Sequence, residues 1–311
     1  MAFARATQHL IDTGDSAAPV EGVAEIIAVD AMQVYWAMDI GTAKPTWRDQ
    51  AHVVHHCLDL VAPDHDFALA EYATYANRAI AEIEGRGCRP VLVAGTGLYL
   101  RAVTDPMELP GMWPEIREAL EARAVSEPIE DLHRQLAALD PEAAAKIQPA
   151  NARRVVRALE VCLGSGRRFS SFGPGLGVYP PTRFVQIGLR WGRPALADRI
   201  ERRVQHMLEA GLLAEVESVL TTWPDLSRTA RQALGYRELL SYLDGAVSFD
   251  EAVAQIVLRT RQFAVRQERW FRRDPRIQWV DIHADPVAEV LPVISERLSV
   301  ASSSRVPGLH T

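Results

Sequence analysis

Two short apolar runs, EIIAVD at 25–30 and RPVLVAGTG at 89–97, flank a segment of helical period, FALAEYATYANRAIAEIEGRG at 67–87. Continuous apolar runs of this length, bounded by polar residues, read as strands buried on both faces, and the helical segment stops at glycines. Strand, helix, strand in that order predicts a parallel βαβ unit, because parallel neighbours need a crossover connection. No other feature limits the fold as much. It makes the class α/β and points to the carboxyl ends of the strands, where open parallel sheets bind ligands. Asp30 closes the first run there, and Ala94-Gly95-Thr96-Gly97 closes the second.

The rest of the chain divides around this unit. From about 113 to 170 the pattern is helical and rich in Ala, Glu and Arg, and the Gly/Pro/Ser segment GSGRRFSSFGPGLGVYPP at 164–181 closes it. We read 1–107 and 182–300 as the α/β core, 108–181 as an all-helical insertion, and 301–311 as a disordered tail. A strand is expected at 183–190, a long helix at 248–273 and a last strand at 277–281. A chain of 311 residues suits one large domain with an insertion. It has no apolar run of transmembrane length and no signal-peptide pattern, so a cytoplasmic protein without membrane contact is expected, and a monomer. Cys57, Cys88 and Cys162 stand far apart, which argues against a disulfide framework and against zinc. His52, His55, His56 and Cys57 fit no standard metal spacing and read as packing or polar contacts, so no metal ligands are assigned.

Asp30 at a strand end could accept a proton, hold a metal or cap the turn that follows. Gln33 and Tyr35 carry polar groups able to read a planar ligand. The glycines beside Thr96 would let a phosphate approach the backbone, with the hydroxyl as donor. The helix at 248–273 opens on a capping box, Ser248-x-x-Glu251. It places Val253, Ile256, Thr260, Phe263, Gln267 and Trp270 on one face, and Arg259, Gln262, Arg266, Arg269 and Arg273 on another. Between 259 and 276 seven arginines meet two acids, Glu268 and Asp274, although the whole chain has a net charge of −6. An arginine stripe with few acidic partners suits a phosphate backbone. Arg153, Arg154 and Arg157 form a second cluster, and Arg199, Arg202 and Arg203 a third.

Several segments in order resemble the tRNA dimethylallyltransferases, the isopentenyl transferases that modify adenosine 37 beside the anticodon. They are VDAMQVYWAMDIGTAKP (29–45), HHCLDL (55–60), VLVAGTGLYL (91–100), RRVVRALEV (153–161), RIERRVQHMLEAGLLAEV (199–216), QALGYREL (232–239) and TRQFAVRQERWF (260–271). The resemblance implies a parallel-sheet core of the P-loop-NTPase type with an all-helical insertion. It implies transfer of a dimethylallyl group from dimethylallyl diphosphate to N6 of the adenine, with Mg2+ accompanying the diphosphate and a tRNA anticodon stem-loop as partner. Asp30 matches the family's base, and Thr96, with Arg199 or Arg203, the diphosphate side. Asp30, Ala31, Met32, Gln33, Arg153, Arg154, Arg157, Gln232, Gly235, Tyr236, Arg237, Arg259, Arg266 and Arg269 match segments that look like tRNA contacts.

One departure counts against a complete site. The family opens on a phosphate-binding loop, GPTxxGK[ST], whereas residues 1–24 here hold no GxxxxGK[ST] and no lysine. Val265 also stands where the family commonly has a lysine. The departure raises two rival readings, a non-catalytic tRNA-binding paralogue and a truncated gene product, each without diphosphate binding; a third rival, independent of it, is an adenylate isopentenyltransferase acting on free nucleotide.

Overall fold

The computed structural model describes residues 24–173 and 175–303. The expectation about a phosphate-binding loop falls on residues outside these. The chain forms two compact units, the first from residues up to 67, 72–103 and 182 onward, the second from 68–71 and 104–181. The second unit begins a few residues earlier than the 108 expected from the helical pattern.

In the first unit, β1 (Ala24–Val29) is buried along its whole length, as AEIIAV predicts. The chain continues through α1 (Trp47–His52), β2 (His55–His56), α2 (Leu69–Gly85), β3 (Arg89–Ala94) and α3 (Gly97–Thr104). The sheet order is β2-β1-β3, all parallel, with Ile26 opposite Val91 and Val29 opposite Ala94. Helix α2 crosses between β1 and β3 and buries Tyr72, Ala76, Ile80 and Ile83, one stripe of its amphipathic pattern. The predicted βαβ unit is therefore present, with Asp30 directly after its first strand.

The second unit holds α4 (Pro114–Ser126), α5 (Ile129–Leu139), α6 (Pro141–Lys146) and α7 (Ala152–Ser165). Leu120, Leu132, Leu136, Val155 and Leu159 form its core. Two buried carboxylates tie it together. Glu160 accepts from the Trp113 backbone N–H at 2.9 Å and from Arg117 Nη2 at 2.7 Å, and pairs with Arg157 Nη1 at 2.9 Å. Asp140 caps α6 through the Ala143 N–H at 3.0 Å and accepts from the Ser170 N–H at 2.7 Å.

Returning to the first unit, β4 (Gln186–Trp191) and β5 (Ile277–Ile282) form a separate parallel pair. Gly188 faces Trp279, whose ring would stand 2.9 Å from any added Cβ. Between them run α8 (Arg193–Glu209), α9 (Leu212–Thr222), α10 (Arg228–Arg231), α11 (Tyr236–Leu243) and α12 (Phe249–Phe271). The Ser248–Glu251 capping box opens α12 as expected. Phe263, assigned to its apolar face, is 40% exposed, because the carboxyl half of that face packs through Gln267 and Trp270 instead. The last helix, α13 (Pro286–Ser303), runs through the first three residues of the predicted disordered tail. Residues 304–311 lie outside the described residues.

Candidate active site

Asp30 stands one residue beyond β1 and is half-buried. Its Oδ1 accepts from the Met32 N–H at 2.7 Å and the Gln33 N–H at 3.3 Å. This is the capping geometry open to an Asp at a strand end. Its Oδ2 has no hydrogen-bond partner among the described residues and faces Gly95, where an added Cβ would stand 3.6 Å away. One oxygen thus fixes the carboxylate and the other is presented to the turn after β3. The cap that the sequence allows at Asp30 is present.

The Gly95-Thr96-Gly97 turn is held from the α12 side. Gln267 Nε2 donates to the Gly95 carbonyl at 2.7 Å. The Trp270 indole lies against Gly97 so closely that an added Cβ would be 2.0 Å from Nε1. Thr96 sits between them, half-buried, and its carbonyl accepts the Leu100 N–H at the start of α3. Arg203, on α8, keeps solvent access although protein atoms crowd it. That crowding lowers its pKa from the ordinary guanidinium value, and the charge of Asp30 pulls the other way. Arg203 thus senses the charge of Asp30. Arg199, one turn earlier on α8, is exposed and stacks over Trp191, 4.2 Å from the ring centroid.

The segment after Asp30 is a folded loop rather than an open one. Ala31, Met32 and Gln33 are half-buried beside the carboxylate. Gln33 Nε2 donates to the carbonyls of Thr42 at 3.1 Å and Ala43 at 3.3 Å. Tyr35 does not read a ligand: it is fully buried, and its hydroxyl accepts from Ser227 Oγ at 3.3 Å. Lys44, which sequence reasoning left without a role, is buried and donates to the Tyr35 carbonyl at 2.8 Å, Asp39 at 2.5 Å and Asp59 at 2.6 Å. Ala37 and Ala43 in this loop, and Cys57 and Asp59 beside it, have positive φ, a strained backbone for residues with a Cβ.

The residues matched to tRNA contacts fall into two groups. Arg153 and Arg154 are exposed on α7, and Arg266 and Arg269 on α12, none with an acidic partner among the described residues. Others are spent inside the fold. Arg157 pairs with Glu160 and donates to the Pro110 carbonyl at 3.0 Å. Gly235 and Tyr236 are buried, and the Tyr236 hydroxyl donates to Glu215 at 2.5 Å. Gly235 has φ +91°, a conformation that favours glycine. Arg237 at 3.2 Å and Arg259 at 2.5 Å converge on the buried Glu238, which also accepts the Gly235 N–H, and Gln232 accepts from Arg237 at 3.2 Å. The α12 arginines are also better balanced than the sequence suggests. Arg261 pairs with Glu201, Arg272 with Glu268 and Arg276 with Asp274.

His55 and His56 make polar contacts, one of the two roles expected of them. His56 pairs with the buried Glu25 at 2.6 Å, and His55 with the Val53 carbonyl at 2.7 Å. Among the described residues no group of three His, Cys, Asp or Glu could hold a metal ion.

The IPP transferase family model matches residues 33–274. The chain belongs to the IPP transferase family. It is 45% identical over 259 residues to the tRNA dimethylallyltransferase of Geobacter metallireducens, covering 83% of this chain and 84% of that one. The Nocardioides sp. tRNA dimethylallyltransferase is also 45% identical, with 82% of each chain covered. A crystal structure of the Bacillus halodurans tRNA isopentenylpyrophosphate transferase superposes with a TM-score of 0.65 at 34% identity, over 97% of this chain and 94% of that one. A eukaryotic dimethylallyltransferase acting on tRNA shares the fold, with a TM-score of 0.73 at 23% identity. The α/β class and the P-loop-like parallel core expected from the sequence hold. No described helix is long and apolar enough to cross a membrane.

Proposed function

We propose that this chain transfers a dimethylallyl group from dimethylallyl diphosphate to N6 of adenosine 37 in tRNA. The observation that carries the proposal is the divided carboxylate of Asp30, one oxygen held by two backbone N–H groups and the other facing the Gly95 turn. N6 attacks the allylic C1 carbon, and the C–O bond to the diphosphate breaks with its electron pair leaving on oxygen. The N6 proton passes to Asp30 Oδ2. In this reading Thr96 and Arg203 serve the leaving group, a hydroxyl and a guanidinium meeting its growing negative charge. Arg199 extends that positive edge. For N6 to reach Oδ2 the adenine must leave the base stack.

The described residues offer no cage for a resident Mg2+. A Mg2+ ion fits this reading as part of the substrate, carried by the diphosphate oxygens, and would supply charge neutralisation there. The exposed Arg153, Arg154, Arg266 and Arg269 suit the RNA backbone, and a compartment holding tRNA, the cytoplasm, follows.

Incubating the protein with dimethylallyl diphosphate, Mg2+ and an unmodified anticodon stem-loop, then analysing nucleosides by mass spectrometry, tests this. Prenylated adenosine 37 is expected. A second reading rests on the absence of GxxxxGK[ST] from residues 1–24: the chain binds the stem-loop without turnover. Tight stem-loop binding with no product would establish that reading and overturn the first. Product from free AMP alone would make it an adenylate enzyme.

A further inference from the structure

Glu215 is an acid on the first turn of α9, far in sequence from both the Asp30 loop and the glycine turn. Its carboxylate is nevertheless the anchor of the loop. Oε2 accepts from the Asp39 N–H at 2.9 Å and the Ile40 N–H at 2.7 Å, and Oε1 from the Gly41 N–H at 2.9 Å. The Tyr236 hydroxyl closes the set at 2.5 Å. Three consecutive backbone N–H groups aimed at one carboxylate form a concave nest for an anion, filled here by a side chain of the same protein.

Gly41 completes the seat. An added Cβ would stand 2.5 Å from Tyr236 Cε2 and 3.0 Å from Leu212 Cδ1, so the loop lies directly on the α9 and α11 side chains. From Gly41 the connections continue to the reacting group. The carbonyls of Thr42 and Ala43 receive both Gln33 Nε2 bonds, and the Gln33 N–H donates to Asp30 Oδ1. The loop also carries positive φ at Ala37 and Ala43, a conformation that must be held by its surroundings.

We propose that Glu215 is a positioning residue: it pins Asp39–Gly41 and, through the Thr42 and Ala43 carbonyls and Gln33, sets the orientation of the Asp30 carboxylate. It touches no reacting atom. This rests on the assignment of Asp30 as the base of prenyl transfer. It gives the buried Tyr236 a role behind the loop.

Two variants test it from opposite sides. Glu215→Gln keeps the volume but sets an NH2 group against the backbone donors. Gly41→Ala leaves the carboxylate intact and pushes the loop off Tyr236. Each is measured by amide hydrogen exchange at Asp39–Gly41, by single-turnover prenylation of the stem-loop, by stem-loop affinity, and by far-ultraviolet circular dichroism as the check on folding. Both variants are expected to exchange these amides about tenfold faster or more, and to lose about tenfold or more in the single-turnover rate at saturating RNA. The KM for dimethylallyl diphosphate should stay within about threefold. Unchanged exchange, or faster exchange with an unchanged rate, overturns the proposal. Should the unaltered chain form no product, the functional assignment fails separately. The proposal is then judged by exchange at Asp39–Gly41 and at Met32 and Gln33, whose N–H groups hold Asp30: faster exchange at both sets supports it, and faster exchange confined to Asp39–Gly41 overturns it.

Discussion

Asp30→Asn separates the two tasks of this carboxylate. Asparagine is nearly isosteric, and its single carbonyl oxygen can occupy the Oδ1 position, keeping the 2.7 Å and 3.3 Å bonds from Met32 and Gln33. The loop is expected to stay where it is. What changes is Oδ2, which becomes an NH2 group with no basicity, on the side facing Gly95. A positioned general base contributes about 10²–10⁴-fold in rate, or roughly 3–5 kcal/mol of barrier at about 1.36 kcal/mol per tenfold. The expected result is a single-turnover prenylation rate about 10²–10⁴-fold lower at saturating stem-loop, with stem-loop affinity within about threefold of the unaltered protein. Asp30→Ala should lose the rate and, in addition, about 1 kcal/mol of stability, because the cap goes as well. Rapid-quench assays with labelled diphosphate and filter binding of the stem-loop give the two numbers. An Asp30→Asn protein that prenylates within tenfold of the unaltered rate would refute the assignment of Asp30 as the base.

Gly97→Ala places a methyl 2.0 Å from Trp270 Nε1, so the indole must move; a cost of about 1–3 kcal/mol is expected in urea denaturation, together with slower prenyl transfer. Glu160→Leu leaves Arg117 and Arg157 without their shared carboxylate; breaking a buried pair costs about 3–5 kcal/mol, and partial solvent access of both guanidiniums puts the expectation near the lower figure in the urea midpoint of the helical unit. In Glu160 burial raises the pKa, but the Trp113 N–H and the two arginines outweigh it and hold it below the ordinary value; Asp140 is lowered against burial by Ser170 and Ala143. Their stabilisation is therefore complete above the unfolded carboxylate pKa of about 4 and disappears as pH falls through the lowered folded values, so the urea midpoint should hold from pH 7 to about 5 and drop below about 4. A midpoint that rises on acidification would contradict the sign.

The sheet was legible because its signal is local. AEIIAV is apolar at every position but one, and a strand buried on both faces needs nothing else. Its one acid, Glu25, is tolerated because Arg86 and His56 meet it. The capping box of α12 was legible for the same reason, three residues apart in sequence. The residues that hold the site together were not. Glu215 meets Gly41 across 174 positions and Gln267 meets Gly95 across 172. Glu215 carries no local mark that separates it from other glutamates, and Gln267, although it falls on the mostly apolar face of α12, has nothing beside it that names Gly95 as its partner. Tyr35 was misread for the opposite reason. Its hydroxyl suggests a ligand contact, while the flanking Val34 and Met38, both fully buried, show which side of the loop faces the core.

The same distinction sorts the arginines, and it changes what a basic stripe means. Helix α12 carries its positive charge in a chain that is negative overall, and from sequence each arginine counts equally toward RNA. In the fold, Arg259 and Arg237 are held by a carboxylate with no solvent exposure, Glu238. A guanidinium committed to a buried carboxylate cannot leave it for a phosphate without stranding that charge, which costs more than a surface contact returns. Arg259 and Arg237 are thus structural cations first. Arg153, Arg154, Arg266 and Arg269 have no such commitment among the described residues, and an exposed arginine gains from a phosphate without giving up a partner. Under the proposed function, the buried acids that these arginines meet decide which cations remain for RNA. That selection by pairing is why the positions of the arginines inform about RNA binding more than their number does.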